Sequence, residues 1–131
     1  RAIAFYRDGL GLSVGRRVGP WVELVGAGVP VDLLGKAAGT SATPSAPAAV
    51  RDYARHWTPL HLDVVVEEVE AAVARAVRAG ATQEAPIEEA RWGRMALLAD
   101  PFGHGLCILE FRGRGYDEVI EDAQRRDETA A

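Results

Sequence analysis

Four side chains that can bind a ligand or exchange a proton interrupt hydrophobic runs of this sequence. Asp32 lies in one run, His61 and Asp63 in a second, and Cys107 in a third. Successive side chains of a β-strand point to opposite faces of the sheet, so polar and apolar neighbours are expected on opposite faces. A buried polar side chain without a partner costs roughly 1–3 kcal/mol. These residues therefore predict a surface that requires hydrogen-bond partners, water or a ligand.

The same alternation assigns the apolar residues of these runs to faces. The residues predicted to face a covering helix are Val31, Leu33, Leu60, Leu62, Val64, Val66, Leu106 and Ile108. The residues predicted on the opposite face are Asp32, Leu34, His61, Asp63, Val65, Cys107, Leu109 and Phe111.

Residues 67–79 form the clearest predicted helix. Its apolar residues recur at intervals of three and four, glutamates begin it, arginines lie near its end, and Gly80 follows it. A helix over residues 1–8 and a final helix from about 115 to 126 are also predicted. The predicted strands are 12–18, 21–25, 29–34, 59–66, 82–87, 94–99 and 105–111.

The order of these elements suggests an internal repeat. The second half gives strand, helix and three strands, and the first half gives helix and three strands. The sequence from Arg1 onward resembles the inside of a helix, so a further strand is expected before it. With that strand, the same unit occurs twice. Between the halves, residues 35–50 are mostly Gly, Ala, Ser, Thr and Pro, which bury too little apolar area to offset the entropy of ordering. This stretch is therefore predicted to be a mobile linker.

Five segments together resemble the vicinal-oxygen-chelate superfamily of glyoxalases, bleomycin-resistance proteins and extradiol dioxygenases. In order, they are Ala2–Leu12, His61–Val66, Ala79–Ala81, Trp92–Arg94 and Asp100–Gly105. The match covers nearly the whole chain outside residues 36–56. Each segment is weakly specific by itself, and the specificity comes from their order and spacing.

The resemblance implies an α+β fold of paired βαβββ modules. These would form a cupped, mostly antiparallel sheet with the helices on its convex side. Residues 1–131 would be a single domain, with module one at about 1–35, a linker at about 36–57 and module two at about 58–112. The first strand of module one would lie before Arg1. Many members of the superfamily dimerise, so a homodimer is expected.

The resemblance also implies where a metal would bind, because the superfamily takes one ligand from each of four strands. One position lies before Arg1, and the other three fall on Asp32, His61 and Cys107. The last position is usually Glu, and Cys107 replaces it here. Glu110 lies three residues further along the strand, on the opposite face. The cofactor expectation is therefore either none or one divalent metal ion.

Two functions are the main alternatives at this stage, and a metal-free dehydrating or isomerising enzyme that uses Asp63 or Glu23 as an acid or base also remains open. One is a small-molecule-binding protein that lacks the full metal site. The other is a divalent-metal-dependent, glyoxalase-like lyase or isomerase, or a dioxygenase-type enzyme, acting on a small oxygenated substrate. Catalytic residues are not assigned. The predicted ligand pocket comprises Trp21, Glu23, Asp32, His61, Asp63, Trp92, Cys107, Leu109 and Phe111.

Composition limits the partners. Of the 131 residues, 15 are Lys or Arg and 19 are Asp or Glu, and the net charge of −4 argues against nucleic acid and anionic lipid as partners. No apolar run approaches the roughly 18 residues that span a bilayer, and no signal peptide is evident. The single cysteine excludes an intrachain disulfide. A cytoplasmic protein with a small-molecule ligand is predicted.

Overall fold

The protein is represented by a computed structural model, which describes residues 1–58, 62–115, 117–118, 120–121 and 125. The chain begins with a short helix, α1 (Ala2–Ala4), which continues as a π-helical turn over Phe5–Gly9. Three antiparallel strands follow and form the first sheet, in the order β1-β2-β3. They are β1 (Ser13–Val18), β2 (Trp21–Val25) and β3 (Val31–Leu34).

The stretch predicted to be a mobile linker contains a small β-hairpin. Strands β4 (Ser41–Thr43) and β5 (Ala46–Val50) pair antiparallel to each other. Both strands are exposed along their whole length, so the sequence correctly indicated that little apolar area is buried here. Backbone pairing gives the hairpin its structure without a hydrophobic core, which composition alone did not reveal.

The second sheet has the order β6-β10-β9-β7, and β8 pairs with β9 on the same side as β7. Its β6 and β10 are parallel, and the other pairs are antiparallel. One helix, α2 (Val69–Arg78), connects β6 to β7. The predicted α+β class with mostly antiparallel sheets is confirmed. The strands are β6 (Leu62–Val65), β7 (Thr82–Gln83), β8 (Glu88–Ala90), β9 (Gly93–Ala99) and β10 (Gly105–Phe111).

Helix α2 follows the predicted apolar stripe. Val69, Ala72, Val73 and Ala76 are buried, whereas Val77 is exposed. At the start of the helix, the Val69 N–H donates to the Glu110 carboxylate at 2.9 Å, so a side chain of β10 caps one of the first free N–H groups.

One hydrophobic core joins the two halves of the chain. The apolar face of α2 packs there with residues of both sheets and of the N-terminal helical turn. Its largest fully buried side chains are Phe5, Leu24, Val69, Leu98, Leu106 and Ile108.

The turn between β9 and β10 is fixed by hydrogen bonds. The Asp100 carboxylate accepts the backbone N–H of Phe102 at 2.8 Å and that of His104 at 2.9 Å. Its second oxygen accepts the Tyr6 hydroxyl at 3.0 Å, which ties the turn to the N-terminal helical turn. Residues 54–56 lie over the turn, where the His56 N–H donates to the Gly103 carbonyl at 3.1 Å.

Three sequence predictions need correction or restriction. Leu62 was assigned to the helix-facing side but is 45% exposed, because β6 is the end strand of the described sheet. The predicted strand 82–87 is instead two short strands, β7 and β8. The predicted C-terminal helix falls partly outside the described residues, although 117–118, 120–121 and 125 are helical. Within the described part of the chain, no helix is long and apolar enough to cross a membrane.

Candidate functional site

Each sheet has a face directed away from the core, here called its distal face. On the second sheet this face carries Cys107 and Leu109, because Leu106 and Ile108 point into the core. Cys107 is 7% exposed and Leu109 is 4% exposed, although neither belongs to the core cluster. Ala99 is also buried outside that cluster. The second sheet therefore buries apolar side chains on both of its faces.

Cys107 and Asp63 are a polar pair on this distal face. They lie opposite each other on the parallel strands β10 and β6, and their side chains are hydrogen bonded. Burial raises the pKa of the Cys107 thiol, and the nearby Asp63 charge and the hydrogen bond raise it further. The thiol is therefore held protonated, which opposes a role as a nucleophile.

An aromatic pair lies where β9 begins and β10 ends. The ring centroids of Trp92 and Phe111 are 6.0 Å apart, and the ring planes are inclined by 61°. Both residues are partly buried. Phe111 is on the distal face, since it lies two residues after Leu109 and four after Cys107 on the same strand. The pair therefore adds partly accessible aromatic surface beside the buried apolar residues.

The distal face of the first sheet is charged. Glu23 and Asp32 are direct neighbours on the antiparallel strands β2 and β3, and Trp21 and Leu34 form the next pair on this face. Val22 and Leu24 alternate with Glu23 and lie in the core. Asp32 is exposed, whereas Glu23 is only 7% exposed.

A β-bulge brings Arg16 to Glu23. The pairing of β1 with β2 slips between Val14 and Arg17, so Gly15 and Arg16 together lie opposite Glu23. The Arg16 backbone N–H and Nε donate to Glu23 Oε2 at 3.3 Å and 3.1 Å, and Arg16 Nη2 bonds Oε1. These hydrogen bonds lower the pKa of the Glu23 carboxyl, which stays ionised.

The bulge and Arg16 were missed by sequence reasoning. Gly15 is the available signal, because a Cβ at this position would lie 2.7 Å from Glu23 Oε2. Only a residue without a side chain lets the carboxylate approach the strand so closely.

The described ligand candidates fit a metal poorly. His61, the third predicted ligand, lies outside the described residues. Burial and the Asp63 charge raise the pKa of the Cys107 thiol, so a metal ion would have to displace its proton. Asp32 faces the positive charge of Arg16. The exposed Asp32 carboxylate is thus already near an organic cation, and Cys107 would bind a metal only after losing its proton.

A different acidic group has ligand atoms close together, at the start of α2. It comprises Glu68, Glu70 and Glu110. Glu110 caps α2, and Glu70 is paired with Arg94, so two of the three carboxylates already have partners in the fold. We therefore assign this group to helix capping and ion pairing.

Comparison with known proteins places this arrangement in a family. A model described as a glyoxalase-like domain matches residues 1–109. An uncharacterized protein of Mycobacterium bovis is 44% identical over 48 residues, which are 36% of this chain and 32% of that protein.

Two solved structures share the fold. A glyoxalase/bleomycin resistance protein/dioxygenase family enzyme from Burkholderia phytofirmans has a TM-score of 0.61 at 17% identity, over 85% of this chain and 88% of that chain. TnmS3, an antibiotic binding protein from a Streptomyces species, has a TM-score of 0.52 at 21% identity, over 82% of each chain. Since the family model spans most of the sequence, this chain belongs to the glyoxalase-like domain family.

Proposed function

We propose that the chain binds a small, planar and largely apolar molecule at the distal face of the second sheet, without a resident metal ion. The observation that carries this proposal is the partly accessible aromatic pair Trp92 and Phe111, which continues the apolar face of β10 directed away from the core. Small-molecule sites are mostly apolar, with a few polar groups that orient the ligand. Here the apolar surface is continuous with one polar pair, Asp63 and Cys107.

The aromatic pair favours a planar ligand. A ring that lies against Trp92 or Phe111 gains contact area, and an offset or edge-on arrangement adds about 0.5–1.5 kcal/mol. The two rings are already inclined in an edge-on arrangement and partly buried, so little ordering is needed on binding. Binding would thus be driven mainly by removing the remaining exposed surface of Trp92 and Phe111 from water.

The antibiotic-binding description of TnmS3 supports this kind of function. A protein that sequesters a compound needs a complementary pocket and no reacting groups. The protonated Cys107 thiol agrees with that requirement, since a nucleophile would need the thiolate.

Metal content distinguishes the proposed metal-free binding protein from the metal-dependent enzyme that the sequence left open. We expect elemental analysis of protein purified without chelators to give far less than one zinc, manganese, nickel or iron per chain. Stoichiometric metal that is lost in a His61→Ala variant would instead support the metal-dependent lyase or dioxygenase alternative.

Fluorescence titration tests ligand binding. We would titrate the protein with neutral planar aromatic compounds and compare the Trp92→Ala variant with wild type. The expected result is about tenfold weaker binding, equivalent to roughly 1.4 kcal/mol, because the ligand loses a stacking partner.

A matched control is Trp57→Ala. Trp57 is 76% exposed and packs against the guanidinium of Arg55, with 3.9 Å between the Arg55 Cζ and the ring centroid. This variant should bind like wild type. Equal weakening in both variants, or no saturable binding to wild type, would contradict the proposal.

A further inference from the structure

Arg16 and Glu23 form an unequal ion pair. The Arg16 side chain is 77% exposed, whereas the Glu23 side chain is 10% exposed. The carboxylate therefore lies against the sheet, and its cationic partner covers it from the solvent side. Because the Arg16 side chain is mostly exposed, it can move into solvent without disturbing the core.

The surroundings of the carboxylate suit a planar cation. The Arg16 guanidinium carbon lies 6.0 Å from the centroid of the Trp21 ring, within the range of a cation–π contact. Asp32 is the neighbour of Glu23 across the strands, and its charge also attracts Arg16. Two carboxylates and one indole thus surround the position that the guanidinium fills.

The backbone makes this position specific to Arg16. Without the bulge, regular pairing would place residue 16 opposite Val22, on the core side of the sheet. With it, both Gly15 and Arg16 lie opposite Glu23, and the missing Cβ of Gly15 leaves room for the carboxylate. Bulges commonly redirect a side chain in this way beside functional sites.

From this geometry we propose that Glu23, Asp32 and Trp21 form a recognition subsite for a planar cationic group, an amidinium or guanidinium, on the ligand. Arg16 occupies the subsite when no ligand is bound and is displaced by it. The inference extends the proposed function, on which it rests, from a planar apolar ligand to one that also bears a planar cation. An amidinium reproduces the paired N–H donors that Arg16 directs at Glu23.

Benzamidine and its uncharged isostere benzamide provide a direct test. We would titrate each into 15N-labelled protein and follow the indole N–H resonances of Trp21, Trp57 and Trp92. Benzamidine should shift the Trp21 resonance. Arg16→Gln should bind benzamidine about fivefold more tightly than wild type, because a competitor worth up to roughly 1 kcal/mol has been removed. Glu23→Gln should bind it at least about tenfold more weakly, because the charge-assisted hydrogen bonds are lost.

Arg17→Gln is the matched control. It makes the same change in net charge on the adjacent residue, but Arg17 is paired with Val22 across the strands. It should bind benzamidine like wild type. Arg16→Lys, which keeps the charge and loses the bidentate geometry, should be intermediate and provides a second variant if Arg16→Gln does not fold.

The outcomes separate this inference from the proposed function. Benzamidine binding that is equal in Arg16→Gln and Arg17→Gln, or benzamide binding that also depends on Glu23, would overturn the cation subsite. Neutral aromatic compounds that still bind near Trp92 would leave the proposed function intact in that case. In the reverse result, benzamidine binding depends on Arg16 but neutral aromatic compounds do not bind. That result would retain the cation subsite and reject the apolar site.

Discussion

Asp100 and Glu23 are both buried carboxylates, but their partners differ in kind. Asp100 accepts two backbone N–H groups of its own turn and the hydroxyl of Tyr6, which is itself buried. Among the described residues, every side-chain donor to Glu23 comes from Arg16, which is mostly exposed and also donates its backbone N–H. The donors to Asp100 are backbone groups and a buried hydroxyl, which make Asp100 part of the fold. The exposed guanidinium that covers Glu23 can instead exchange with a ligand. Burial alone therefore does not distinguish a structural acid from a binding acid.

The strongest disruption of the Asp100 turn is expected from Gly103→Ala. Gly103 has φ of +89°, and a Cβ there would lie 2.0 Å from the Ala54 carbonyl oxygen. Strain in the left-handed region and the clash together should cost about 4 kcal/mol in a urea unfolding titration. Gly28→Ala is the control, with φ of +76° and nothing within 4 Å, and it should lose only about 1 kcal/mol. Equal losses would show that residues 54–56 do not lie against the turn.

Substituting Asp100 and Glu23 by alanine should give different losses of unfolding free energy. Asp100→Ala removes three hydrogen bonds and leaves the buried Tyr6 hydroxyl unpaired, so it should lose about 3 kcal/mol. Glu23→Ala should unfold close to the wild-type urea midpoint, because its partner Arg16 is already solvated. A large loss for Glu23→Ala with wild-type stability for Asp100→Ala would reverse the assignment of the two residues.

A smaller effect than that of Asp100→Ala is expected from Tyr6→Phe, at about 1 kcal/mol near neutral pH. Burial raises the pKa of Tyr6 above its ordinary value of 10.0, and the Asp100 charge raises it further. Above about pH 10 the unfolded chain releases this proton while the folded chain keeps it, so folding loses stability as pH rises. The advantage of wild type over Tyr6→Phe should therefore shrink between pH 9 and pH 11 (approximate limits set by that ordinary value).

Tyr53→Phe is a control for the alkaline measurement, because Tyr53 is exposed and its hydroxyl bonds only the Lys36 carbonyl among the described contacts. It should give the same pH dependence as wild type. If wild type were more stable than Tyr6→Phe by the same amount at every pH in this range, the pairing of Tyr6 with Asp100 would be contradicted.

Local periodicity predicted much of this molecule. The spacing of apolar residues located α2 to within two residues at its start and one at its end. Alternation correctly placed Leu106 and Ile108 in the core and Cys107 on the opposite face of β10. It also placed Val31 and Leu33 against the core, although Leu62 is an exception at a sheet edge. Periodicity succeeds here because it depends on neighbouring residues alone.

Contacts between distant residues could not be predicted in the same way. Tyr6 and Asp100 are 94 positions apart, and nothing in either segment specifies the other. The bulge at Gly15 changes the register by one residue, so it redirects Arg16 in a way that regular alternation excludes. The candidate site was therefore predicted as a set of strand residues, but Arg16, the residue that covers Glu23, was not included.

The most direct test of the account is a heteronuclear NMR titration of the wild-type chain with a neutral planar aromatic ligand. Binding at the distal face of the second sheet predicts saturable shifts of the amide resonances of Ala99, Cys107 and Leu109 and of the Trp92 indole. The exposed hairpin β4–β5 should remain unchanged. Shifts confined to that hairpin, or no saturable shifts on β9 and β10, would contradict the proposed site.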